Sequence, residues 1–427
     1  MTMHERYLTT SALDGILLDI ATQIELSLAD RRIAENRYRR LKEHLERSSS
    51  PLVPYLEDGL SLIYAQGSIA TSTTIIGGID DDRFDVDAII EMNVPAHWSE
   101  HYALDMLEAA LQGFPGVIKI VRCTRCIQLQ FAFMHMDVTL MDCSKRIAIA
   151  RAGEILHAPD EGPSSRVPSN PWGFTAWFRS SVGVGQAAFA EAVRTRRDLY
   201  AKSRLRPVDD VELMLAKADQ VDLPPMIPSA IDAQEAVALK LLKRHLNVSY
   251  ERLRPVRPPA IYFAKRAASI GYRPEGLTAQ VIALADSTAR ILREHLAAGT
   301  RPNELNPSYP ADRLNDRWPA DGRDGIHDME ILAGVLETLA EKLICLARSP
   351  LSEIVAGMSE LFGERIGEEV RAILTRRFDT RAGIAANLVQ TATGNIEAPS
   401  IARAAPDVRA VPRHNFHPVR IEDDDAG

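Results

Sequence analysis

The first fifty residues carry apolar side chains at steps of three and four, the spacing of one buried face of a helix. Charged residues fill the positions between them, and arginine is frequent in the second half. Pro51 and Pro54 end the pattern. The spacing predicts one long helix from residue 12 to about 48, a spine within 1–50 that packs on both lobes. Its apolar positions are Leu13, Leu17, Ile20, Ile24, Leu28, Leu41 and Leu45.

The chain from 51 to 200 mixes short β-type runs with helical spacing. Three runs predict strands, namely Phe84–Met92, Ile118–Arg122 and Cys126–Met141, the last of which is long enough for two. A helix is predicted near Trp98–Leu111. From about Pro171 to Arg377 the spacing is almost wholly helical, with proline-rich breaks. The pattern therefore predicts an α+β protein: a mixed-sheet catalytic core over 51–200 and a helical domain over 201–390.

The last stretch, 391–427, has a different composition. It contains four prolines, little apolar periodicity and a terminal acidic run. Such a segment buries too little apolar surface to offset the loss of chain entropy. We expect a flexible C-terminal tail.

Composition excludes several classes of protein. Lysine and arginine total 50 against 58 acidic residues, a formal charge of −8, whereas a protein that coats DNA is strongly basic. No run of apolar residues is long enough to span a membrane, and the first residues do not resemble a secretory signal. Four cysteines in 427 residues make no disulfide framework, and Cys123 and Cys126 lack the second pair that a zinc site requires. A cytoplasmic protein is expected.

Two aspartates interrupt the apolar run at 84–90. Side chains alternate along a strand, so Asp85 and Asp87 emerge on the same face about 7 Å apart. Two like charges on an apolar strand repel each other and lose hydration, so a cation normally compensates them. Magnesium is suited to this because it prefers hard oxygen ligands.

A third carboxylate lies on a later apolar strand, where Asp137 shares a face with His135 and Thr139. Three aspartates on two adjacent strands can hold two Mg²⁺ or Mn²⁺ ions, one that activates a hydroxyl and one that binds a triphosphate. The sequence therefore predicts Asp85, Asp87 and Asp137 as catalytic and metal-binding residues. For His135, packing or hydrogen bonding is the expected role.

Upstream of these strands, Gln66, Gly67 and Ser68 follow a short apolar run. A Gly-Ser turn that opens a helix offers free backbone N–H groups and a hydroxyl to a phosphate. No P-loop, H-E-x-x-H or G-x-S-x-G motif occurs. The ordered set of Gly-Ser, Asp-x-Asp and a later lone Asp is typical of the polymerase-β-like nucleotidyltransferases.

Nearly the whole chain resembles one branch of that superfamily, the bacterial CD-NTases, which are relatives of animal cyclic GMP–AMP synthase. The resemblance is carried by Gln66–Ile75, by Phe84–Ile90 and His135–Leu140, by Ser169–Phe174 with Trp177-Phe178, by Leu241–His245, and by Asn306-Pro307 with Asp312–Trp318. It implies a cyclic-oligonucleotide synthase that joins NTPs and acts, through its product and a downstream effector, in anti-phage signalling. It also implies that Thr73 and Lys243 contact the nucleotide. The family commonly has Gly-Thr at the two positions where this chain has Ser72-Thr73.

The residues leave other functions open. The same aspartates would serve a linear nucleotidyltransferase, either oligoadenylate synthase-like or one that modifies a small molecule. A scaffold that has lost its activity would have eroded carboxylates, and all three are present. The bases joined, the number of nucleotides and the linkage are not determined by the sequence.

Two expectations concern partners. No compact cluster of histidine and cysteine resembles the DNA-sensing zinc insertion of the animal enzyme, so we expect no zinc and no DNA requirement. Many members of the resembled family end in a small residue that a ubiquitin-ligation-like enzyme activates and joins to an amine. By that resemblance Gly427 is the predicted conjugation residue.

Overall fold

The structure is a computed structural model that describes residues 3–56, 62–76, 83–145, 147–200, 226–253, 255–386, 389–390 and 396–397. For residues 3–12, 252, 376–386, 389–390 and 396–397 it describes the backbone alone. The chain divides into two compact units, Met1–Gly367 and Glu368–Gly427. The finer division into core, helical domain and tail stays a prediction.

The first unit contains a sheet and most of the helices. Its strands are β1 Leu62–Gln66, β2 Phe84–Met92, β3 Lys119–Arg122, β4 Ile127–Gln130, β5 Met134–Asp142, β6 Gly153–His157 and β7 Ser165–Ser169. The helices among them are α1 Met3–Ile24, α2 Leu28–Leu45, α3 Val53–Leu56, α4 Gly67–Ala70, α5 Glu100–Leu111, α6 Pro171–Ser181 and α7 Ala187–Tyr200. Helices Gln234–Leu253, Ala260–Ile270, Leu277–Ala298, Gly322–Leu346 and Leu351–Phe362 follow, with a short hairpin of Leu305–Asn306 and Tyr309–Arg313.

The boundary between the two units falls within helix Glu364–Ala386, after Gly367. It also contains a two-stranded pair of Val389–Gln390 and Ile396–Glu397.

The sheet is mixed, as the sequence predicts. Its strand order is β1-β2-β5-β4-β3, and β6 and β7 extend it beyond the end of β5. Strands β2 and β5 run parallel, and their neighbours pair antiparallel. Alternate residues of β2, from Phe84 to Met92, are fully buried against α2 and α5. The opposite face of β2 carries Asp85 and Asp87, which leaves those carboxylates outside the main apolar core.

The predicted N-terminal spine is divided into two helices. Ser27 begins α2 with a capping box: its hydroxyl accepts from the Asp30 amide at 3.0 Å, and the Asp30 carboxylate accepts from the Ser27 amide at 3.1 Å. Glu25 forms an isolated antiparallel bridge with Ile75. The expectation of one unbroken helix is therefore wrong at 25–27, because strand-like pairing takes the backbone groups that a continuing helix would use.

Two of the motifs that carry the family resemblance are joined by hydrogen bonds. Asn170 caps α6 by accepting from the Gly173 amide at 2.8 Å, and its own amide donates to Asp312 at 2.9 Å. Asn306 donates to the Asn170 carbonyl at 3.0 Å and to Asp312 at 2.8 Å. All these groups are buried except Gly173. The bonds fix the end of β7 against the hairpin of the later, mostly helical region.

Candidate active site

The strand register brings two of the predicted carboxylates side by side. In the parallel pair β2–β5, Asp87 lies opposite Asp137 and Asp85 lies opposite His135. Neighbouring strands are about 4.8 Å apart, so the Asp87 and Asp137 side chains leave the same face as close neighbours. Gln66 pairs with Asp87 from β1, and Gln128 pairs with Asp137 from β4.

The three carboxylates differ in exposure. The Asp85 side chain is 75% exposed and lies 3.3 Å from Nδ1 of His135. His135 therefore contacts the site by a polar interaction. Asp87 and Asp137 are half-buried. Burial, together with the charges of Asp137 and Asp85, raises the pKa of Asp87 to about 7. Burial also raises the pKa of Asp137, although a hydrogen bond from Gln128 opposes the rise.

Lys243 reaches this site from helix Gln234–Leu253. Its Nζ donates to the Thr73 carbonyl at 2.9 Å. Burial lowers the pKa of Lys243 to about 8, while the charges of Asp87 and Asp85 act in the opposite direction. The structure thus brings Lys243 between the acidic strand and the segment that follows Ser68.

The turn at 66–68 is held against the acidic strand. Gly67 has a φ of +64°, in the region that favours glycine, and a Cβ added there would collide with the carboxylate of Asp87. Helix α4 opens at Gly67 but ends at Ala70, after one turn. A single turn has little macrodipole, so the expected helix-end attraction for phosphate is weak here and the unpaired backbone amides remain as donors.

Residues after the turn fold back onto it. The Thr73 amide donates to the Ser68 carbonyl at 2.8 Å, and the Ser68 and Thr74 hydroxyl oxygens lie 2.9 Å apart. Residues Gln66–Ile76, which we call the phosphate loop, therefore form a closed turn beside Asp87. All predicted nucleotide-binding residues, namely Gln66, Gly67, Ser68, Thr73 and Lys243, lie on this loop or contact it.

Two glutamines of β4 were not predicted as site residues. Gln128 Nε2 donates to Asp137 Oδ1 at 2.9 Å, and Gln130 Nε2 donates to Gln128 Oε1 at 2.8 Å. The second bond fixes the orientation of the Gln128 amide, so that its NH₂ group faces the carboxylate. The β4–β5 register, which places Gln128 opposite Asp137, reveals their role.

The carboxylates suit a divalent cation by donor type. They are hard oxygen ligands, and their mutual repulsion raises the cost of keeping them ionised together. Within the described ranges, no group of three or more histidine, cysteine, aspartate or glutamate side chains is already arranged to hold a metal. The Asp85 carboxylate is turned toward His135.

The cysteine pair lies near the same face. Cys123 and Cys126 flank the two-residue turn between β3 and β4, and the Cys123 amide donates to the Cys126 carbonyl at 2.9 Å. Both thiols are free and half-buried. Burial and the charge of Asp137 raise the pKa of each thiol.

The chain matches no established protein-family profile. The chain is 33% identical over 311 residues to the cyclic dinucleotide synthase CdnG of Bradyrhizobium diazoefficiens, which covers 72% of this chain and 70% of that protein. The solved structure of the Bradyrhizobium diazoefficiens CD-NTase CdnG in complex with GTP matches with a TM-score of 0.70 at 30% identity, over 85% of this chain and 99% of that one.

The chain belongs to the CD-NTase family. It is a nucleotidyltransferase with the α+β fold of that family, which confirms the predicted fold class. The crystal structure of the cyclic AMP-GMP synthase DncV of Vibrio cholerae is more distant, with a TM-score of 0.44 at 14% identity over 85% of this chain and 88% of that one.

Two remaining expectations concern membrane spanning and the C-terminal residue. Every helix within the described residues is too short or too polar to cross a bilayer. Gly427, the predicted conjugation residue of this CD-NTase, lies outside the described residues, so its role stays a prediction.

Proposed function

We propose that this CD-NTase joins NTPs into a cyclic dinucleotide, with GTP among its substrates, and releases pyrophosphate at each transfer. The carrying observation is the register that sets Asp87 beside Asp137 and next to the phosphate loop. Similarity to the cyclic dinucleotide synthase CdnG, whose structure was solved with GTP, supports the product and one substrate.

The role of each catalytic aspartate would follow from its distance to the phosphate loop. Asp137 lies farther from the phosphate loop and would orient the acceptor hydroxyl. Asp85 and Asp87, on the strand next to the loop, would hold the ion that accompanies the donor triphosphate. When bound, two Mg²⁺ or Mn²⁺ ions supply the charge that acidifies the acceptor and neutralises the departing pyrophosphate.

Binding of the donor phosphates would fall to the phosphate loop and Lys243. Ser68 offers a hydroxyl, and the start of α4 offers backbone amides that no helical carbonyl takes up. Lys243 would exchange its bond to the Thr73 carbonyl for a phosphate oxygen, because an ammonium binds a charged acceptor more strongly than a neutral one.

Product analysis tests the proposal. The full-length protein is incubated with labelled NTPs and magnesium or manganese, and the products are treated with phosphatase and identified by mass spectrometry. A phosphatase-resistant dinucleotide containing guanine is expected. A product from which phosphatase removes terminal phosphates would instead favour the linear nucleotidyltransferase.

A matched variant tests the site. The double variant Asp85→Ala, Asp87→Ala should release no pyrophosphate while it keeps the fold, since the changes remove charge repulsion and leave no large cavity. Release at the wild-type rate would show that the chemistry lies elsewhere.

A further inference from the structure

A small cavity of about 60 Å³ lies behind the phosphate loop, next to the break between α1 and α2. Its lining includes Glu25, Arg31, Ser72, Thr74, Arg197 and Lys240. A water molecule needs roughly 10–15 Å³ of such volume, so the cavity has room for about four oxygen-sized groups. Pockets for drug-sized ligands run to about 300–1,000 Å³, so this one is too small for a nucleotide.

The carboxylate in this cavity is already neutralised. Glu25 accepts from Arg197 Nε at 2.6 Å and from Lys240 Nζ at 2.7 Å. Arg197 also donates to Asp232 at 2.9 Å. Burial acts to raise the pKa of Glu25, but Lys240 and Arg197 outweigh it and lower the pKa to about 2. Arg197 and Lys240 thus bond to Glu25, and Asp232 accepts from Arg197 and lies 4.0 Å from Arg194.

Two further guanidinium groups near the cavity bond to neutral oxygens. Arg31 donates to the Pro228 carbonyl at 3.1 Å. Arg179 donates to the Ala70 carbonyl at 3.2 Å and to the Ser229 carbonyl at 2.9 Å. Across the described part of the chain, neither forms an ion pair with a carboxylate. Burial lowers the pKa of both guanidinium groups, and the charges of Glu25 and Asp232 offset this only partly for Arg31, so an anion in the cavity would reduce the cost of burying them.

The cavity shares a wall with the catalytic machinery. Ser72 and Thr74 line it and flank Thr73, whose carbonyl accepts from Lys243 on the active-site side. Thr74 also contacts the Ser68 hydroxyl at 2.9 Å. Ser72 has a φ of +59°, a conformation that costs energy for any residue other than glycine. A ligand held by the Ser72 and Thr74 hydroxyls would therefore fix the shape of the phosphate loop.

We propose that this cavity binds one tetrahedral oxyanion of the phosphate class, held by Arg31 and by the hydroxyls of Ser72 and Thr74. Charge determines the class of ligand, because the cationic groups around the cavity outnumber the carboxylates. Size limits the ligand to a small ion, because a cavity of about 60 Å³ cannot hold a nucleotide. Bound phosphate stabilises the phosphate loop from the side opposite the substrate.

The test compares two adjacent arginines of α2. Arg31 lines the cavity, whereas its neighbour Arg32 is exposed and serves as the matched control. Melting temperatures are measured on full-length protein in sodium phosphate and in sodium chloride of equal ionic strength. All proteins also carry Lys243→Ala, so that phosphate binding at the catalytic site contributes little.

Phosphate at about ten times its Kd should raise the melting temperature by roughly 1–4 °C in the Lys243→Ala background. The rise should vanish with Arg31→Gln and persist with Arg32→Gln. A rise that survives Arg31→Gln, or one that both variants lose equally, would overturn the proposal. If Arg31→Gln does not fold, Arg31→Lys should keep a reduced rise, and an unreduced rise would refute the role of Arg31.

A second arm identifies the form of the ligand. Inorganic phosphate and glycerol phosphate are compared at equal concentration. Equal effects would assign the site to the phosphate end of a larger molecule, and an effect of inorganic phosphate alone would assign it to the free ion. The absence of any Arg31-dependent effect with either probe would contradict the proposal.

Discussion

The bond from Gln128 to Asp137 gives a prediction that can be worked from the structure. The variant Gln128→Leu keeps the volume of the side chain but removes the donor that binds Asp137 Oδ1 at 2.9 Å. A hydrogen bond to a charged group contributes about 1.5–3 kcal/mol. At about 1.4 kcal/mol for each factor of ten, its loss corresponds to roughly a tenfold to hundredfold effect. Mutation of groups that orient metal ligands commonly costs a similar amount, about 10–100-fold.

The assay should separate metal binding from catalysis. We expect Gln128→Leu to raise the Mg²⁺ concentration for half-maximal pyrophosphate release by about tenfold or more. Calorimetric titration with Mn²⁺ should show a weakening of similar size without any turnover. Gln130→Leu is the matched control, because it removes only the neutral bond to Gln128 at 2.8 Å and should cost a few-fold at most. Wild-type metal dependence in Gln128→Leu, or an equal loss in both variants, would refute this reasoning.

Three further predictions concern the loop and the core. Gly67→Ala should nearly abolish activity, because Gly67 has a positive φ and the added methyl group would collide with the Asp87 carboxylate. Pyrophosphate release and a thermal melt would measure the effect, and normal turnover would contradict the assigned geometry. Ser68→Ala and Lys243→Ala should each raise KM for NTP or lower kcat by about tenfold, since each loses a bond to a charged phosphate, and unchanged kinetics in both would move the triphosphate elsewhere. The folded-state pKa of Glu25, about 2, is below its unfolded value of 4.5, so its contribution to stability is present above about pH 5 and lost as pH falls toward 2. Urea unfolding of Glu25→Gln should therefore show a deficit of about 3–5 kcal/mol at pH 7 that narrows by pH 4, and a deficit independent of pH would contradict the assignment.

The catalytic strands could be predicted because their pattern is dense and local. Phe84–Met92 has the predicted bounds, since its apolar side chains continue through the whole strand and are interrupted only at the two aspartates and Glu91. The run Cys126–Met141 divides into β4 and β5 as expected. The three aspartates follow from chemistry, because carboxylates on apolar strands are costly without a purpose.

Other elements lacked such a pattern. Strands β6 and β7 are short and mostly half-buried, so their residues show no alternation that predicts a strand. The hairpin at 305–313 lies in a region whose average spacing is helical. The break at 25–27 had a local signal in Ser27 and Asp30, but the apolar spacing continues across it and predicted a single helix. Gln128 could not be found at all without knowing which strand lies beside it.

The N-terminal helix is completed by a partner far along the chain. Asp14 accepts from the Thr278 amide at 2.7 Å, a bond that spans 264 positions, and α1 packs against helices Gln234–Leu253 and Leu277–Ala298. A ribosome adds about 5–20 residues per second, so roughly 13 to 50 seconds separate the synthesis of α1 from that of its last neighbour. During that time the buried face of α1, with Leu17 and Ile20, has no finished surface to cover it. The apolar face of α1 is therefore the surface exposed for longest during synthesis, and a chaperone that covers it on the nascent chain should favour folding.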